Sequence, residues 1–159
     1  MAIPFQTLQL NYPSSNPGSM RYVSRETLFK EIGWDEFLDN NNYANTCAIR
    51  VSLAMLKSGL SLSNGSHRVL DGKLQGKRIE VNMRKLANRI EQSGQFAKAE
   101  RYTQDIYAHV RGRSGIIAFF NIPGYSGGGH IDLLDGSAPN MRCESDCYHS
   151  QEVWFWPMR

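Results

Sequence analysis

The chain has 159 residues, a net charge of +3 and a hydrophobic fraction of 41%. A chain of this length can bury roughly 70% of the surface of its unfolded form, so we expect a single domain over residues 1–159. The composition excludes a disordered or fibrous chain, and the scattered basic residues argue against binding to nucleic acid. No run of about 18 apolar residues is present, and the N-terminus lacks the pattern of a secretory signal. We therefore expect neither a membrane span nor a signal peptide.

One helix is predicted before a central helix in the chain, and another is predicted after it. Turn-forming residues cluster over 11–18, and Ser24 followed by RETLFKEIGWDEFL is typical of a capped helix with an apolar stripe. A later helix is expected over residues 77–92, where apolar residues recur at helical spacing and Gly94 follows as a stop signal. The apolar residues of that later helix are Ile79, Met83, Leu86, Ala87 and Ile90.

The central helix is predicted over residues 45–59 and contains the sequence CAIRVSLAMLKSG. Apolar side chains point in nearly every direction around it, while Arg50 and Lys57 share one narrow polar stripe. This pattern is typical of a helix buried in the protein core, and Gly59 can close it.

The last third of the chain has the pattern of strands. IIAFFNI, which follows Gly115, is a continuous apolar run and predicts a central strand covered on both faces. After the Gly-rich turn PGYSGGG, HIDLLDG predicts a second strand, with His130, Asp132 and Leu134 on one face. EVWFWP predicts a final strand that Pro157 stops.

Cys47 stands at the start of the central helix, where backbone N–H groups and the helix dipole favour a negative charge. The thiolate is the reactive form of cysteine, and helix N-termini are among the environments that generate it. Papain-like peptidases use this arrangement. The alternative is that Cys47 is a small apolar core residue.

A cysteine nucleophile needs a base, usually a histidine whose ring is held by a third group. The chain offers His67 in a polar loop, His109 in a segment of uncertain structure, His149 near the C-terminus and His130. Only His130 begins a predicted strand, and a helix with the cysteine followed later by a strand with the histidine is the chain order of papain-like enzymes. A surface histidine beside a flexible turn is the alternative.

Cys143 and Cys147 lie close together in RCESDCYHS and leave Cys47 as the odd thiol. They could form a disulfide, which implies an oxidising compartment. A zinc site of Cys143, Cys147, His149 and perhaps His130 is the rival interpretation. We favour the disulfide because this spacing is loose for zinc.

NTCAIRVSLAMLKSG, GIIAFFNIPGYSGGGHIDLLDG and VWFWP together resemble the fourth family of type VI secretion amidase effectors, with matching order and spacing from about Tyr43 to Pro157. The resemblance implies an α+β, papain-like, NlpC-type fold, in which a helical part with the cysteine packs on an antiparallel sheet with the histidine. It implies an antibacterial toxin that is made in the cytoplasm and injected into the periplasm of a target cell. Delivery by injection would reconcile a disulfide with the missing signal peptide.

The implied activity is hydrolysis of the γ-D-glutamyl to diaminopimelate bond in peptidoglycan stem peptides, without a metal or an organic cofactor. The implied partner is a cognate immunity protein that blocks the active site. Carried over by motif, Cys47 is the expected nucleophile and His130 the expected base. The family places an aspartate after the histidine strand, for which we choose Asp146. Asp132 competes with it, because it lies two residues from His130 on the same strand face, about 7 Å along the strand.

Two other functions fit the same residues. A housekeeping wall hydrolase of this fold could cut another stem-peptide bond. A secreted binding module without catalysis would have Cys47 as a core residue, and its thiol should then resist alkylation in the folded protein.

Overall fold

The computed structural model describes residues 3–122, 129–137 and 150–159. Contacts group the chain into two compact units, Gln6–Asn82 and Met83–Arg159 with Met1–Phe5. Each unit has a hydrophobic cluster of its own. The single domain over residues 1–159 stays a prediction.

The first unit is mainly helical. Its helices are α1 (Phe5–Leu10), α2 (Arg25–Ile32) and α3 (Cys47–Lys57), with short 3-10 helices at Asp35–Phe37 and Asn41–Tyr43. Strands β1 (His67–Arg68) and β2 (Arg78–Ile79) form an antiparallel pair. Helix α1 and the two strands were not expected from the sequence, because each is too short to show a period.

Helix α2 has the expected N-cap, since the Ser24 hydroxyl accepts a hydrogen bond from the Thr27 N–H at 3.2 Å. The helix ends earlier than predicted. Gly33 takes the left-handed conformation at φ 77°, and a Cβ there would lie 2.9 Å from the Cβ of Asp71. The predicted continuous helix through RETLFKEIGWDEFL is therefore wrong, and the chain turns at Gly33 before the 3-10 helix.

Helix α3 is buried as predicted, because every residue from Cys47 to Leu56 is buried and only Lys57 is exposed. The predicted polar stripe is wrong at Arg50, which is 2% exposed. Its guanidinium donates to the carbonyls of Pro13 at 3.1 Å and Val23 at 2.6 Å. These main-chain acceptors replace water, so a charged residue can lie in the core.

The helix predicted over residues 77–92 begins later, at α4 (Met83–Ser93). Ile79 is buried in β2 rather than in a helix. The rest of the apolar stripe faces the core as expected, and Gly94 follows in the left-handed conformation at φ 71°. Tertiary pairing with β1 thus overrides the helical spacing at the start of the segment.

The second unit contains a four-stranded antiparallel sheet in the order β3-β6-β4-β5. Its strands are β3 (Glu100–Tyr102), β4 (Ser114–Phe120), β5 (Gly129–Leu134) and β6 (Glu152–Met158), and its second helix is α5 (Ile106–Val110). The predicted central strand is confirmed as β4, which lies between β5 and β6. The expected stop at Pro157 is wrong by one residue. Pro157 opposes Gly115 at a point that β3 does not reach, so its missing N–H costs no bond to that strand.

The two faces of this sheet pack against different helices. Ile117, Phe119 and Leu134 belong to a cluster that also contains Ile106 and Val110 of α5. Since alternate residues of a strand share a face, His130 and Asp132 lie on the same side as Leu134. Helix α4 contacts β4 and β5 on the opposite side. No helix among the described residues is long and apolar enough to cross a membrane.

Candidate active site

Cys47 is the first residue of α3, and its side chain is a free thiol in a residue that is 7% exposed. Its backbone N–H donates to the side-chain oxygen of Asn45 at 3.1 Å. A helix N-terminus has N–H groups without intrahelical acceptors, and Asn45 satisfies one of them. The expected position of the cysteine at the start of a buried helix is confirmed.

The turn before Cys47 is tied to the rest of its unit by Arg50. The guanidinium Nε donates to the hydroxyl of Thr46 at 2.8 Å, while Nη1 reaches the carbonyls of the N-terminal segment. Thr46 and Arg50 are four residues apart, so they face each other along the helix. These bonds hold the main chain that leads into Cys47.

His130 lies in β5 with its side chain 20% exposed, and Asp132 beside it is 33% exposed. Nε2 of the ring lies 3.0 Å from the carboxylate oxygen Oδ2. Because a carboxylate accepts, the ring donates through Nε2, which leaves Nδ1 with the lone pair in the neutral form. Two residues on one strand face therefore form a direct contact, as the sequence allowed.

The carboxylate of Asp132 is itself held in place. Its second oxygen, Oδ1, accepts the N–H of Leu133 at 2.8 Å. Bonds at both oxygens restrict rotation of the carboxylate and so orient the imidazole. This pair can hold a histidine in one tautomer and stabilise its cation, as the third member of a catalytic group does.

Gly129, immediately before the histidine, is required by the sheet. A Cβ at this position would lie 2.1 Å from the carbonyl oxygen of Phe119 and 3.1 Å from a side-chain carbon of Met83. Any side chain would force β4, β5 or α4 to shift. The close approach of two strands therefore fixes the backbone that leads into His130.

The other candidate residues are placed as follows. His67 lies in β1 and bonds to Tyr43 and Ser66, and His109 in α5 stacks on Tyr102 at 4.1 Å between ring centroids. Among the residues that the structure describes, neither forms a pair with a carboxylate like that of His130. The remaining candidates lie outside the described residues, so the disulfide, the zinc alternative and the role of the aspartate stay predictions: Cys143, Asp146, Cys147 and His149.

Within the described ranges, no group of three or more histidine, cysteine, aspartate or glutamate residues could hold a metal ion. The sequence did not lead us to expect the bond between the Asn45 side chain and the Cys47 N–H. A signal was present, because asparagine just before a helix is a typical capping residue. The contact between His130 and Asp132 was anticipated as a possibility from their shared strand face.

Solved structures with similar folds are type VI effectors. The crystal structure of the effector Tae4 from Enterobacter cloacae matches with a TM-score of 0.74 and 20% identity, covering 99% of this chain and 98% of that one. The effector Tae4 from Salmonella typhimurium, in complex with the immunity protein Tai4 from Enterobacter cloacae, matches with a TM-score of 0.71 and 16% identity over 99% and 100% of the two chains. The Tae4-Tai4 complex from Enterobacter cloacae matches with a TM-score of 0.68 and 20% identity over 86% and 90%. No curated protein sequence gives a match.

These matches establish the expected class, an α+β protein with the papain-like fold of the type VI effectors. The sequence itself identifies the family. A family model described as Tae4, type VI secretion system amidase effector protein 4, matches residues 43–156, which is well over half of the chain. The chain belongs to this family of amidase effectors, and the resemblance found in the sequence is confirmed.

Proposed function

We propose that this amidase effector is a cysteine endopeptidase that cuts the γ-D-glutamyl to diaminopimelate bond of peptidoglycan stem peptides. Family membership supports an amidase, and the buried thiol at a helix start supports cysteine as its nucleophile. The observation that carries the proposal is the pairing of His130 with Asp132, because it gives the chain an oriented base.

In the proposed mechanism, Nδ1 of His130 takes the proton of the Cys47 thiol, and the thiolate attacks the carbonyl carbon of the scissile bond. The tetrahedral intermediate collapses, the C–N bond breaks, and the imidazolium returns its proton to the leaving amine. Water then attacks the thioester while His130 accepts its proton. The acid product leaves, and the thiol is restored.

The negative oxygen of the intermediate needs N–H donors, which the start of α3 can supply. The Cys47 N–H is bonded to Asn45, which already presents an oxygen to it. In our proposal, the substrate oxygen replaces this side-chain oxygen. Asn45 is exposed, so its side chain can rotate into solvent.

The third residue is a carboxylate that orients His130. The contact at 3.0 Å supports Asp132 in this role. Asp146, which the family pattern favours, stays a prediction, and both residues enter the test described in the Discussion.

The partner and the site of action follow from the same proposal. Related effectors were crystallised with the immunity protein Tai4. We propose that this chain also has a cognate immunity protein that occludes its active site, and that it acts in the periplasm of the target cell. The proposed disulfide between Cys143 and Cys147 would form there.

The decisive experiment is digestion of purified sacculi by the wild type and by Cys47→Ala. We expect soluble stem-peptide fragments from the wild type, with mass spectrometry locating the cut after γ-D-glutamate, and none from the variant. Ser58→Ala, at the other end of α3, is the matched control and should keep its activity. Full activity of Cys47→Ala would refute the mechanism, and a different cut would indicate a wall hydrolase of other specificity.

Thiol alkylation tests the alternative of a non-catalytic binding module. A nucleophilic Cys47 should react rapidly with iodoacetamide at neutral pH in the folded protein. A thiol that reacts only after denaturation would instead support the binding module. Mass spectrometry of the peptide that contains Cys47 gives the readout.

A further inference from the structure

A buried carboxylate in the unit Gln6–Asn82 is not used by the proposed mechanism. Glu80 is 0% exposed. Its Oε2 accepts the hydroxyl of Ser66 at 2.8 Å and the N–H groups of Val81 at 3.0 Å and Asn82 at 3.2 Å. A carboxylate out of contact with water is costly unless such donors surround it, so this geometry is tightly specified.

From Ser66, the hydrogen bonds continue through His67 to Tyr43. Its Oγ lies 2.8 Å from Nδ1 of His67, and Nε2 of the same ring lies 3.1 Å from the hydroxyl of Tyr43. Because the single proton of Ser66 goes to Glu80, the bond to His67 requires a proton on Nδ1. Nε2 then has the lone pair and accepts from Tyr43. Glu80 thus sets the tautomer of His67 indirectly, through the hydroxyl of Ser66.

Tyr43, at the far end of this chain of bonds, is held from three further sides. Its ring stacks on Phe37 at 4.9 Å and lies edge-on to Trp34 at 5.6 Å. Its carbonyl accepts from the guanidinium of Arg25 at 3.3 Å and 3.4 Å. The carbonyl and the hydroxyl of Tyr43 are therefore both held by hydrogen bonds.

The segment so anchored leads directly into the catalytic helix. Tyr43 ends the 3-10 helix Asn41–Tyr43, and four residues later α3 begins at Cys47. The other end of the chain of bonds also reaches α3, because the hydroxyl of Ser52 accepts the N–H of Glu80 at 3.1 Å and donates to its carbonyl at 3.2 Å. Glu80 thus bonds to the middle of α3 through its main chain, and its carboxylate begins the chain of bonds that leads to the segment before α3.

We infer that Tyr43, His67, Ser66 and Glu80 act as a positioning device for the nucleophile. The directed bonds hold the segment before α3 and thereby fix the first turn, where Cys47 and its N–H lie. This inference rests on the proposed function for the role of Cys47. The four are positioning residues, because each acts through the main chain that precedes the thiol.

Tyr43→Phe is the sharpest variant, since it removes one hydroxyl and keeps the ring stacked between its neighbours. We expect kcat on sacculi or a soluble stem peptide to fall by about three- to tenfold, the value of one hydrogen bond, with KM and the melting temperature close to those of the wild type. Tyr22→Phe is the matched control, because Tyr22 is 44% exposed in the same unit, and it should leave kcat unchanged. An unchanged kcat in Tyr43→Phe would overturn the inference.

A double-mutant cycle separates a connected device from independent effects. Ser66→Ala interrupts the same chain of bonds, so its effect and that of Tyr43→Phe should be less than additive in the double variant. Full additivity would mean that the two hydroxyls act separately, which contradicts the inference.

Two measurements need no hydrolysis and keep the inference distinct from the proposed function. Nitrogen-15 NMR should show His67 with its proton on Nδ1 in the wild type, and Glu80→Gln should weaken this preference; a proton on Nε2 in the wild type would overturn the inference. The alkylation rate of Cys47 should differ by about threefold or more between Tyr43→Phe and Tyr22→Phe. Equal rates would refute positioning of the thiol, whereas hydrolysis by Cys47→Ala would refute the proposed function alone.

Discussion

Asp132→Asn tests which carboxylate orients the base. Asparagine has nearly the same shape, but it has one acceptor oxygen where Asp132 uses two, one for Nε2 of His130 and one for the Leu133 N–H. With its oxygen turned to the ring, asparagine keeps the 3.0 Å contact, loses the bond from Leu133 and removes the charge. For catalysis, the main loss is the stabilisation of the imidazolium that the proposed mechanism requires.

The expected loss follows from the separation and the exposure of the pair. At 3.0 Å, opposite unit charges attract by about 1.4 kcal/mol in water and about 5.5 kcal/mol at an effective dielectric constant of about 20. The side chains are 20% and 33% exposed, which places the pair toward the wetter limit. We therefore expect a loss of about 1.5–3 kcal/mol, or about 10- to 150-fold in kcat.

The assay is the rate of fragment release from sacculi, with the melting temperature as a check on folding. Asp135→Asn is the matched control, since Asp135 follows β5 and accepts the N–H and the hydroxyl of Ser137. Asp146→Asn is measured beside it. Undiminished activity of Asp132→Asn would refute our reasoning, and a large loss in Asp146→Asn alone would assign the role to Asp146.

Two predictions concern stability. Arg113 bonds to both oxygens of Glu100 and lowers the pKa of that carboxyl from 4.5 to about 2, so this pair stabilises the fold above pH 4.5 and loses its effect as the pH falls toward 2. Because Glu100 is 35% exposed, we expect about 1 kcal/mol, seen as a pH-dependent difference in urea unfolding between wild type and Glu100→Gln; parallel curves would contradict it. Gly129→Ala places a Cβ 2.1 Å from the carbonyl oxygen of Phe119 and should cost about 3 kcal/mol in the same assay. Gly18→Ala, whose Cβ would meet its nearest atom at 3.4 Å, should cost little, and equal values for the two variants would contradict the steric argument.

The sequence was most informative where one pattern extended over many residues. The apolar run after Gly115 indicated β4, and the all-round apolar pattern after Cys47 indicated the buried helix α3. It was less informative at Gly33 and Ile79, where a glycine turn and a short strand pairing interrupted helical spacing. Local pattern predicts long elements because many residues contribute to the same period, and it fails at boundaries that a few tertiary contacts decide.

By itself, the sequence determined the family, the helix that begins with Cys47 and the strand that contains His130. These depend on residue order and on local periodicity, both of which can be read from the sequence. The tertiary structure decided which groups meet: the contact of His130 with Asp132, and the chain of hydrogen bonds that ends at the buried Glu80. Residues 14 and 37 positions apart in the chain, such as Ser66 and Glu80 or Pro13 and Arg50, bond because Glu80 and Arg50 are buried and their polar atoms need partners in place of water. No local pattern encodes that requirement, so only the packed molecule shows it.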